Sequence, residues 1–486
     1  MKPFFFLLLF ICIGQQPAYC QRQDNNWIFG YTGTIPFESI QFNFDNTHRN
    51  LSYRPRLGGM AFAQAISDKN GKLAFYTNGC NIYNTSNQVM VNGDSINYNQ
   101  IWKSMGIGYT LLNGFQLLPQ PGSDSLFAFF SYTSGTYPQE DLRYNLIDPY
   151  FNHGEGKVLI KDSIILKRLF YDNMAVIQHG NGRDWWIICP KLGSDIYYKI
   201  KYSFGGQIEI DSQAVGKKWN KLVTTGATLF TPDGKTYVRV GSLTCQLMDF
   251  DRCTGELEFR SSFYFSRGAS FSGAAISANS KYLYIPSTDS LFQFDLQNPD
   301  ILSSRQLVGL YDGFVDPFPV DFFRACLAPD GKIYVSSTNG THFLHIIQEP
   351  DKFDCKFEQR SLELEGYVGI FLPSYPNFKL YDLPDSPCDT LGINKPVEEE
   401  LEQCLEMTIF PNPSKSTLFV DLDRSITVAL PYSVVNVLGQ VVSKGTFEPE
   451  TKQPYEIDIR KLAVGTYYLV PQSVHCLKPL QFERAE

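Results

Sequence analysis

The feature that most constrains the fold is one pattern that recurs along the chain. Each copy is a short apolar strand, a tight turn, and a second strand rich in aromatic and β-branched residues, as in "TLFTPDGKTYVRVGS" and "CLAPDGKIYVSSTNG". The turns of six copies and of a seventh candidate centre near Gly71, Gly122, Gly182, Gly234, Ser280, Gly331 and Asn377. Their spacing of roughly 50 residues is close to that of β-propeller blades.

A repeated four-stranded sheet can bury apolar faces that a single sheet would leave exposed to water. One such sheet cannot bury both of its apolar faces, whereas sheets stacked around an axis bury both and leave only short edges. Long helical periodicity is absent, and a content of 15% aromatic residues suits pleated surfaces. We therefore predict an all-β chain in which residues 21–385 form a seven-bladed β-propeller, within a range of six to eight blades. One or two β-sandwiches are the alternative, but they do not explain the spacing.

The N-terminal segment, which contains "NNWIFGYTG" and continues to "ESIQFNFD", is expected to close this ring. A propeller leaves only short, protected edges when its first and last parts are joined. We predict that it pairs with the last repeat.

The first residues have the pattern of a secretory signal peptide over 1–20. Lys2 precedes an apolar run, and Ala18-Tyr19-Cys20 is a small-x-small cleavage site. A lipoprotein signal acylated at Cys20 is the alternative, although the bulky Tyr19 stands where such signals have a small residue. No other segment approaches the roughly 18 apolar residues of a membrane span, so we predict no transmembrane segment in the mature chain.

The net charge limits the classes of partner, and the cysteine content limits the possible disulfide bonds. A net charge of -8 without a basic patch argues against a nucleic-acid partner. Removal of the signal leaves nine of the 11 cysteines, and an odd number means at least one free thiol. Cys245 and Cys253 lie along one extended strand, too far apart to bond with each other. Cys388 and Cys404 are candidates for a bridge.

The composition changes near Leu383. Residues 386–404 are rich in proline and acidic residues and lack alternation, which is typical of an exposed linker. Residues 405–486 carry four or more strand signals separated by tight turns. This pattern predicts a small immunoglobulin-like β-sandwich.

Three motifs of this module resemble the type A C-terminal sorting domain of the type IX secretion system, the outer-membrane export route of Bacteroidota. They are an opening P-N-P, a central turn and an L-x-x-G-x-Y strand, matched by Pro411, Asn412 and Pro413, by Leu438, Gly439 and Gln440, and by Leu462, Gly465 and Tyr467. The resemblance implies recognition by the type IX secretion machinery and passage through the periplasm to the extracellular space or the outer-membrane surface. An ordinary immunoglobulin-like domain that only caps or spaces the chain is the alternative.

The rest of the chain resembles secreted β-propeller proteins of Bacteroidota that carry this sorting domain. The likeness lies in segments such as "NWIFG" at 26–30 and "LPSYPNF" at 372–378. It implies no particular activity.

The chain shows no recognised catalytic motif. Neither H-E-x-x-H nor G-x-S-x-G occurs. Asp249 and Asp251 have calcium-like spacing, but turn capping explains both. Aspartates between the repeats could supply paired carboxylates for glycoside hydrolysis, and these are Asp141, Asp148, Asp172, Asp312, Asp316 and Asp321. We assign no catalytic, cofactor-binding or metal-binding residue and no cofactor.

These observations predict a secreted or cell-surface propeller that binds or adheres to an unknown glycan or protein ligand. A secreted propeller enzyme, such as a glycan hydrolase or lyase, is one alternative. A structural component of the surface layer is another.

Overall fold

The structure is a computed structural model in which the chain divides into two compact units, Met1–Tyr381 and Asp382–Glu486. It describes residues 21–30, 39–45, 48–54, 63–98, 114–133, 141–167, 173–191, 193–218, 226–266, 272–391, 407–423, 425–426, 429–437, 440–449, 453–471 and 479–485. Within these ranges no helix is both long enough and apolar enough to cross a membrane.

The described strands of the first unit form antiparallel sheets whose strands follow chain order. Two sheets near the N-terminus have three strands each: β1 (Asn26–Phe29), β2 (Ser39–Asp45) and β3 (His48–Arg54), then β4 (Gln64–Ser67), β5 (Leu73–Thr77) and β6 (Ile82–Tyr83). Five sheets of four strands follow. They contain β7 (Phe115–Pro119), β8 (Phe127–Tyr132), β9 (Leu142–Asp148) and β10 (Lys157–Leu166); β11 (Ala175–Gln178), β12 (Trp185–Pro190), β13 (Ile196–Ser203) and β14 (Gln207–Ala214); β15 (Ala227–Phe230), β16 (Thr236–Val240), β17 (Thr244–Phe250) and β18 (Leu257–Tyr264); β19 (Ala275–Ile276), β20 (Tyr282–Ser287), β21 (Ser290–Asp295) and β22 (Gln306–Leu310); and β23 (Ala325–Leu327), β24 (Ile333–Val335), β25 (Thr341–Ile347) and β26 (Phe357–Val368).

Short helical segments supplement these sheets. A helical turn spans Phe151–Gly154, and 3-10 turns span Phe204–Gly206 and Ile301–Ser304. None of them interrupts the order of the strands.

The first strands of neighbouring sheets lie next to one another. This holds for β1 with β4, β4 with β7, β11 with β15, and β19 with β23. Inner strands such as β4 and β11 are buried along their whole length, whereas the fourth strand β14 is largely exposed. Sheets arranged with first strands inward and fourth strands outward are the blades of a β-propeller. The predicted fold class is confirmed, and the number of blades stays a prediction.

Six of the predicted turns connect the first and second strands of their sheets. The turn residues all have positive φ, between 62° and 86°: Gly71, Gly122, Gly182, Gly234, Ser280 and Gly331. Such a backbone conformation favours glycine because other residues meet a steric cost at Cβ. Four of these six hairpins are identified in the sequence by Asn-Gly or Asp-Gly pairs, at Gly71, Gly182, Gly234 and Gly331.

The seventh predicted turn, near Asn377, forms, but it does not belong to a hairpin. Residues 372–380, which we call the axial segment, contain a turn at residues 378–379 and no strand. Side chains of this segment instead bond to backbone carbonyls of β1, of β4 and of the turn that follows β15, as described below. Its aromatic residues resemble those of a strand in the sequence.

Among the described residues, the N-terminal segment contacts the last sheet by side-chain packing, and the predicted strand pairing between them is not seen. β1, β2 and β3 form a sheet of their own, and their buried aromatic residues share one core with β24 and β25. Trp27 is fully buried, with its ring centroid 5.8 Å from that of Tyr334 and 5.1 Å from that of Phe44. One backbone bond supports this contact, since Gly369 N donates to Gly30 O at 3.0 Å.

The second unit is a β-sandwich. One sheet has the order β27-β28-β31 and the other β30-β29-β32-β33. The strands are β27 (Met407–Phe410), β28 (Thr417–Leu422), β29 (Leu430–Asn436), β30 (Val441–Phe447), β31 (Tyr455–Asp458), β32 (Gly465–Pro471) and β33 (Leu480–Arg484). Residues of both sheets, among them Leu418, Val434 and Leu469, form one buried core. This unit thus has a hydrophobic core of its own.

The pairing of the cysteines agrees with the prediction that Cys245 and Cys253 do not bond to each other. Cys245 is a buried free thiol, so it does not bond to Cys253. Cys253 and Cys388 are each disulfide-bonded. Cys404, the predicted partner of Cys388, lies outside the described residues.

Candidate functional site

The axial segment ties several blades together at their inner strands. Tyr375 Oη lies 2.7 Å from Ala65 O and 3.1 Å from Asn26 O. Asn377 Nδ2 donates to Pro232 O at 2.7 Å. Because these acceptors belong to different sheets, the segment is fixed from several sides.

A cavity of about 350 Å³ lies between this segment and the inner strands. We call it the axial cavity. First strands of five sheets contribute to its lining, namely β7, β11, β15, β19 and β23. Exposed lining residues, Ala278 and Lys379, connect it to solvent. Its size is at the lower end of the range of small-molecule sites.

Buried polar side chains line the axial cavity among apolar ones. Arg324 is 3% exposed, and its Nη1 donates to Gly226 O at 2.6 Å. Gln116 is 1% exposed, and its Oε1 has no hydrogen-bond partner among the described residues. Polar groups buried in this way are costly, and they are typical of sites that orient a ligand.

Asp24 supplies the carboxylate of the cavity lining. Its Oδ1 is buried and has no hydrogen-bond partner in the described part of the chain. Burial raises the pKa of Asp24 to about 6, although the nearby ammonium of Lys379 acts in the opposite direction. A carboxyl group poised near neutral pH in a cavity is a common mark of a functional site.

We expect the Asp24→Asn variant to be more stable than the wild type at pH 7.5. The folded chain holds the Asp24 proton more tightly than the unfolded chain, whose carboxyl has a pKa near 3.8. The stability from this group is present below about pH 4 and is lost as the pH rises through 6. The gain should therefore reach about 3 kcal/mol at pH 7.5 and vanish near pH 4.

Urea unfolding of the full chain, followed by tryptophan fluorescence, measures this difference. All five tryptophans precede residue 220, so the signal reports the propeller unit. The exposed Asp354→Asn change is the matched control and should leave the unfolding free energy within about 0.5 kcal/mol. Destabilisation by Asp24→Asn at pH 7.5 would contradict this account of the carboxyl group.

Other reactive groups offer little chemistry. No group of three or more His, Cys, Asp or Glu residues in the described ranges could hold a metal ion. Burial raises the pKa of Cys326, which lines the cavity, so its thiol stays protonated and is a poor nucleophile. Asp249 pairs with Arg260, and Asp251 caps a turn by accepting from Cys253 N at 2.7 Å.

In the second unit, the P-N-P motif forms the turn between β27 and β28. Asn412 Nδ2 donates to Gln481 O at 3.0 Å, and Glu483 N donates to Asn412 Oδ1 at 2.9 Å. The asparagine side chain thus bonds this turn to β33. Pro411 and Pro413 flank it and donate no backbone hydrogen bond, which ends strand pairing there.

The central motif closes the hairpin between β29 and β30. Asn436 N donates to Gln440 O, and Gln440 N donates to Asn436 Oδ1, both at 3.0 Å. Leu438 and Gly439 lie outside the described residues. The described part of the motif therefore fixes a tight turn.

The last motif leads into β32. Leu462 packs partly buried against the sandwich core, and Gly465 is the first residue of the strand. Tyr467 is 7% exposed, stacks on Phe482 at 5.7 Å, and donates from its hydroxyl to Ala463 O at 2.9 Å. The described motif residues thus hold turns and core contacts of the sandwich. Their part in recognition stays a prediction.

Comparison with protein-family models identifies the second unit. Residues 408–474 match the family described as "Secretion system C-terminal sorting domain". No curated protein matches the chain.

Solved structures with a similar arrangement of strands are distant in sequence. A putative 6-phosphogluconolactonase from Bacteroides fragilis has 12% identity and a TM-score of 0.42, covering 71% of this chain and 97% of that one. A putative 6-phosphogluconolactonase from Bacteroides uniformis has 11% identity and a TM-score of 0.44, covering 71% and 98%. The Cps50 (Swd1) β-propeller domain of Myceliophteria thermophila has 8% identity and a TM-score of 0.36, covering 65% and 91%.

The sorting-domain match and the folded sandwich agree on the same residues. The match indicates type IX export to the extracellular space or the cell surface. The chain therefore carries a secretion system C-terminal sorting domain at residues 408–474, and this domain implies a secreted protein of the Bacteroidota type.

Proposed function

We propose that the chain is a secreted binding protein whose propeller holds a small molecule in the axial cavity. The observation that carries the proposal is this cavity of about 350 Å³, lined by rigid inner strands and by buried polar side chains. Preformed concave sites of this kind, with a few polar groups among apolar ones, are the usual binding sites of small ligands. The sorting domain directs export of the protein.

The lining gives less support to hydrolysis of glycans. Its described residues include one carboxylate, that of Asp24. Most glycoside hydrolases need two carboxyl groups about 5 to 10 Å apart. Asp312 forms an ion pair with Arg360, and Asp321 accepts hydrogen bonds from Thr338, so both are engaged elsewhere.

We expect Ala278→Trp to abolish ligand binding. Ala278 lines the cavity and is exposed, so an indole at this position obstructs the cavity without disturbing the core. Saturation-transfer difference NMR on the full mature chain, with a panel of monosaccharides, uronic acids, sugar phosphates and amino acids, measures binding. At least one compound should bind the wild type and fail to bind this variant.

Ala214→Trp is the matched control, because Ala214 is an exposed residue of the outer strand β14 and does not line the cavity. This control should bind as the wild type does. Failure of the whole panel to bind the wild type, or equal binding to Ala278→Trp, would refute the proposal.

A further inference from the structure

We propose that the ligand of the axial cavity is a hydroxylated small molecule with one anionic group, a carboxylate or a phosphate. This inference rests on the proposed function and names its ligand class. Three properties of the cavity favour such a ligand: the charges of its lining, the unpaired acceptors beside them, and its size.

The charges of the lining favour an anion. Arg324 and Lys379 are its cations, and Asp24 is its one carboxylate among the described residues. Arg324 keeps its charge at every physiological pH, and its planar guanidinium suits carboxylate and phosphate groups. Because Arg324 is 3% exposed, this charge acts where screening by solvent is weak. A ligand carboxylate would balance these charges, and a phosphate monoester, which carries between one and two negative charges near neutral pH, would more than balance them.

Unpaired acceptors call for hydroxyl donors on the ligand. Asp24 Oδ1 and Gln116 Oε1 are both buried and have no donor among the described residues. A buried acceptor without a partner is costly because it has lost its hydrogen bonds to water, and a ligand hydroxyl would restore one. The same two groups disfavour a fully apolar ligand.

The size of the cavity limits the ligand to about one sugar ring with its substituents. A space of about 350 Å³ is too small for an oligosaccharide to enter completely. A uronic acid or a sugar phosphate combines the required size, anion and hydroxyl groups.

Isothermal titration calorimetry on the full mature chain separates the two sources of the anion. One arm compares D-galacturonate with D-galactose, and the other compares D-glucose 6-phosphate with D-glucose. We expect at least one anion to bind roughly tenfold more tightly than its neutral partner, which corresponds to one good charged contact. A preference for galacturonate identifies the anionic group of the ligand as a carboxylate, and a preference for glucose 6-phosphate identifies it as a phosphate.

Two lysine variants test whether the anion binds in the axial cavity. Lys379→Met should weaken binding of the preferred anion roughly tenfold, and since Lys379 is exposed, the change should not unfold the chain. Lys72→Met removes an equally exposed lysine that does not line the cavity, and it should leave binding unchanged.

A pH series adds an internal check on Asp24. Its titratable neighbours are Lys379, Cys326 and Tyr375, and burial raises the pKa of both the thiol and the phenol, so neither changes charge between pH 5 and 7.5. Protonated Asp24 no longer repels the anion, so affinity for galacturonate, which stays ionised, should rise roughly tenfold from pH 7.5 to pH 5. Asp24→Asn should remove this dependence.

The outcomes are distinct. Equal affinity for an anion and its neutral partner in both arms would overturn this inference while leaving the proposed binding function standing. Failure of both anions to bind at about 10 mM would also overturn it. The proposed function is then decided by the wider panel and the Ala278→Trp variant alone.

Discussion

Deletion of residues 405–486 should abolish delivery to the cell surface and the medium, and the truncated protein should accumulate in the periplasm. The deletion removes the whole sandwich, with its own hydrophobic core, and the sorting-domain match at 408–474. It leaves every described strand of the propeller and Cys388 in place. Surface immunolabelling of whole cells, with fractionation of periplasm and medium, measures the change.

Two controls separate export from folding. Tryptophan fluorescence of the truncated protein should match that of the full chain, because every tryptophan lies in the propeller unit. Fusion of residues 405–486 to an exported fluorescent reporter should carry the reporter to the surface. Unchanged surface labelling of the truncated protein would contradict the role of the sorting domain.

Trp27→Ala should lower the free energy of unfolding of the propeller by about 3 to 5 kcal/mol, the usual cost of emptying a large aromatic site in a core. Trp27 is fully buried between the N-terminal sheet and the last sheet. Its ring stacks on that of the axial residue Tyr375, with centroids 6.4 Å apart. The lost contacts are those that close the ring, so the effect should extend to the cavity.

Urea unfolding with circular dichroism and fluorescence detection measures the loss. Tyr264→Ala is the matched control, because Tyr264 is 72% exposed at the end of β18. It should change the unfolding free energy by about 0.5 kcal/mol or less. A similar small effect of Trp27→Ala would show that the N-terminal sheet contributes little to closure.

The hairpins and the sandwich could be predicted from the sequence because they depend on residues that are close together in the chain. Asn-Gly and Asp-Gly turns, with alternation on either side, identify hairpins because positive φ and strand pairing are decided within a few residues. Gly234 and Gly331 are such positions. The sandwich was predictable for the same reason, since its strands are short and its turns carry proline or glycine.

Contacts between distant residues explain what the sequence could not predict. The segment around Asn377 has the aromatic residues of a strand, but its hydrogen-bond partners are backbone carbonyls of residues 26, 65 and 232, which are distant in the sequence. The axial cavity is likewise assembled from separated parts of the chain, and Asp24, Gln116 and Arg324 follow no local motif. Packing of Trp27 against Tyr334 was not predictable either, because the two residues are distant in the sequence and share no local motif.

A crystal structure of the full chain without its signal peptide, grown with the compound that binds most tightly, would locate the ligand. We expect electron density for this compound inside the axial cavity, with its anionic group within hydrogen-bonding distance of Arg324 or Lys379. Its hydroxyl groups should lie near Asp24 or Gln116. Density for the compound at any other place on the propeller, with only water in the axial cavity, would show that the axial cavity is not the binding site.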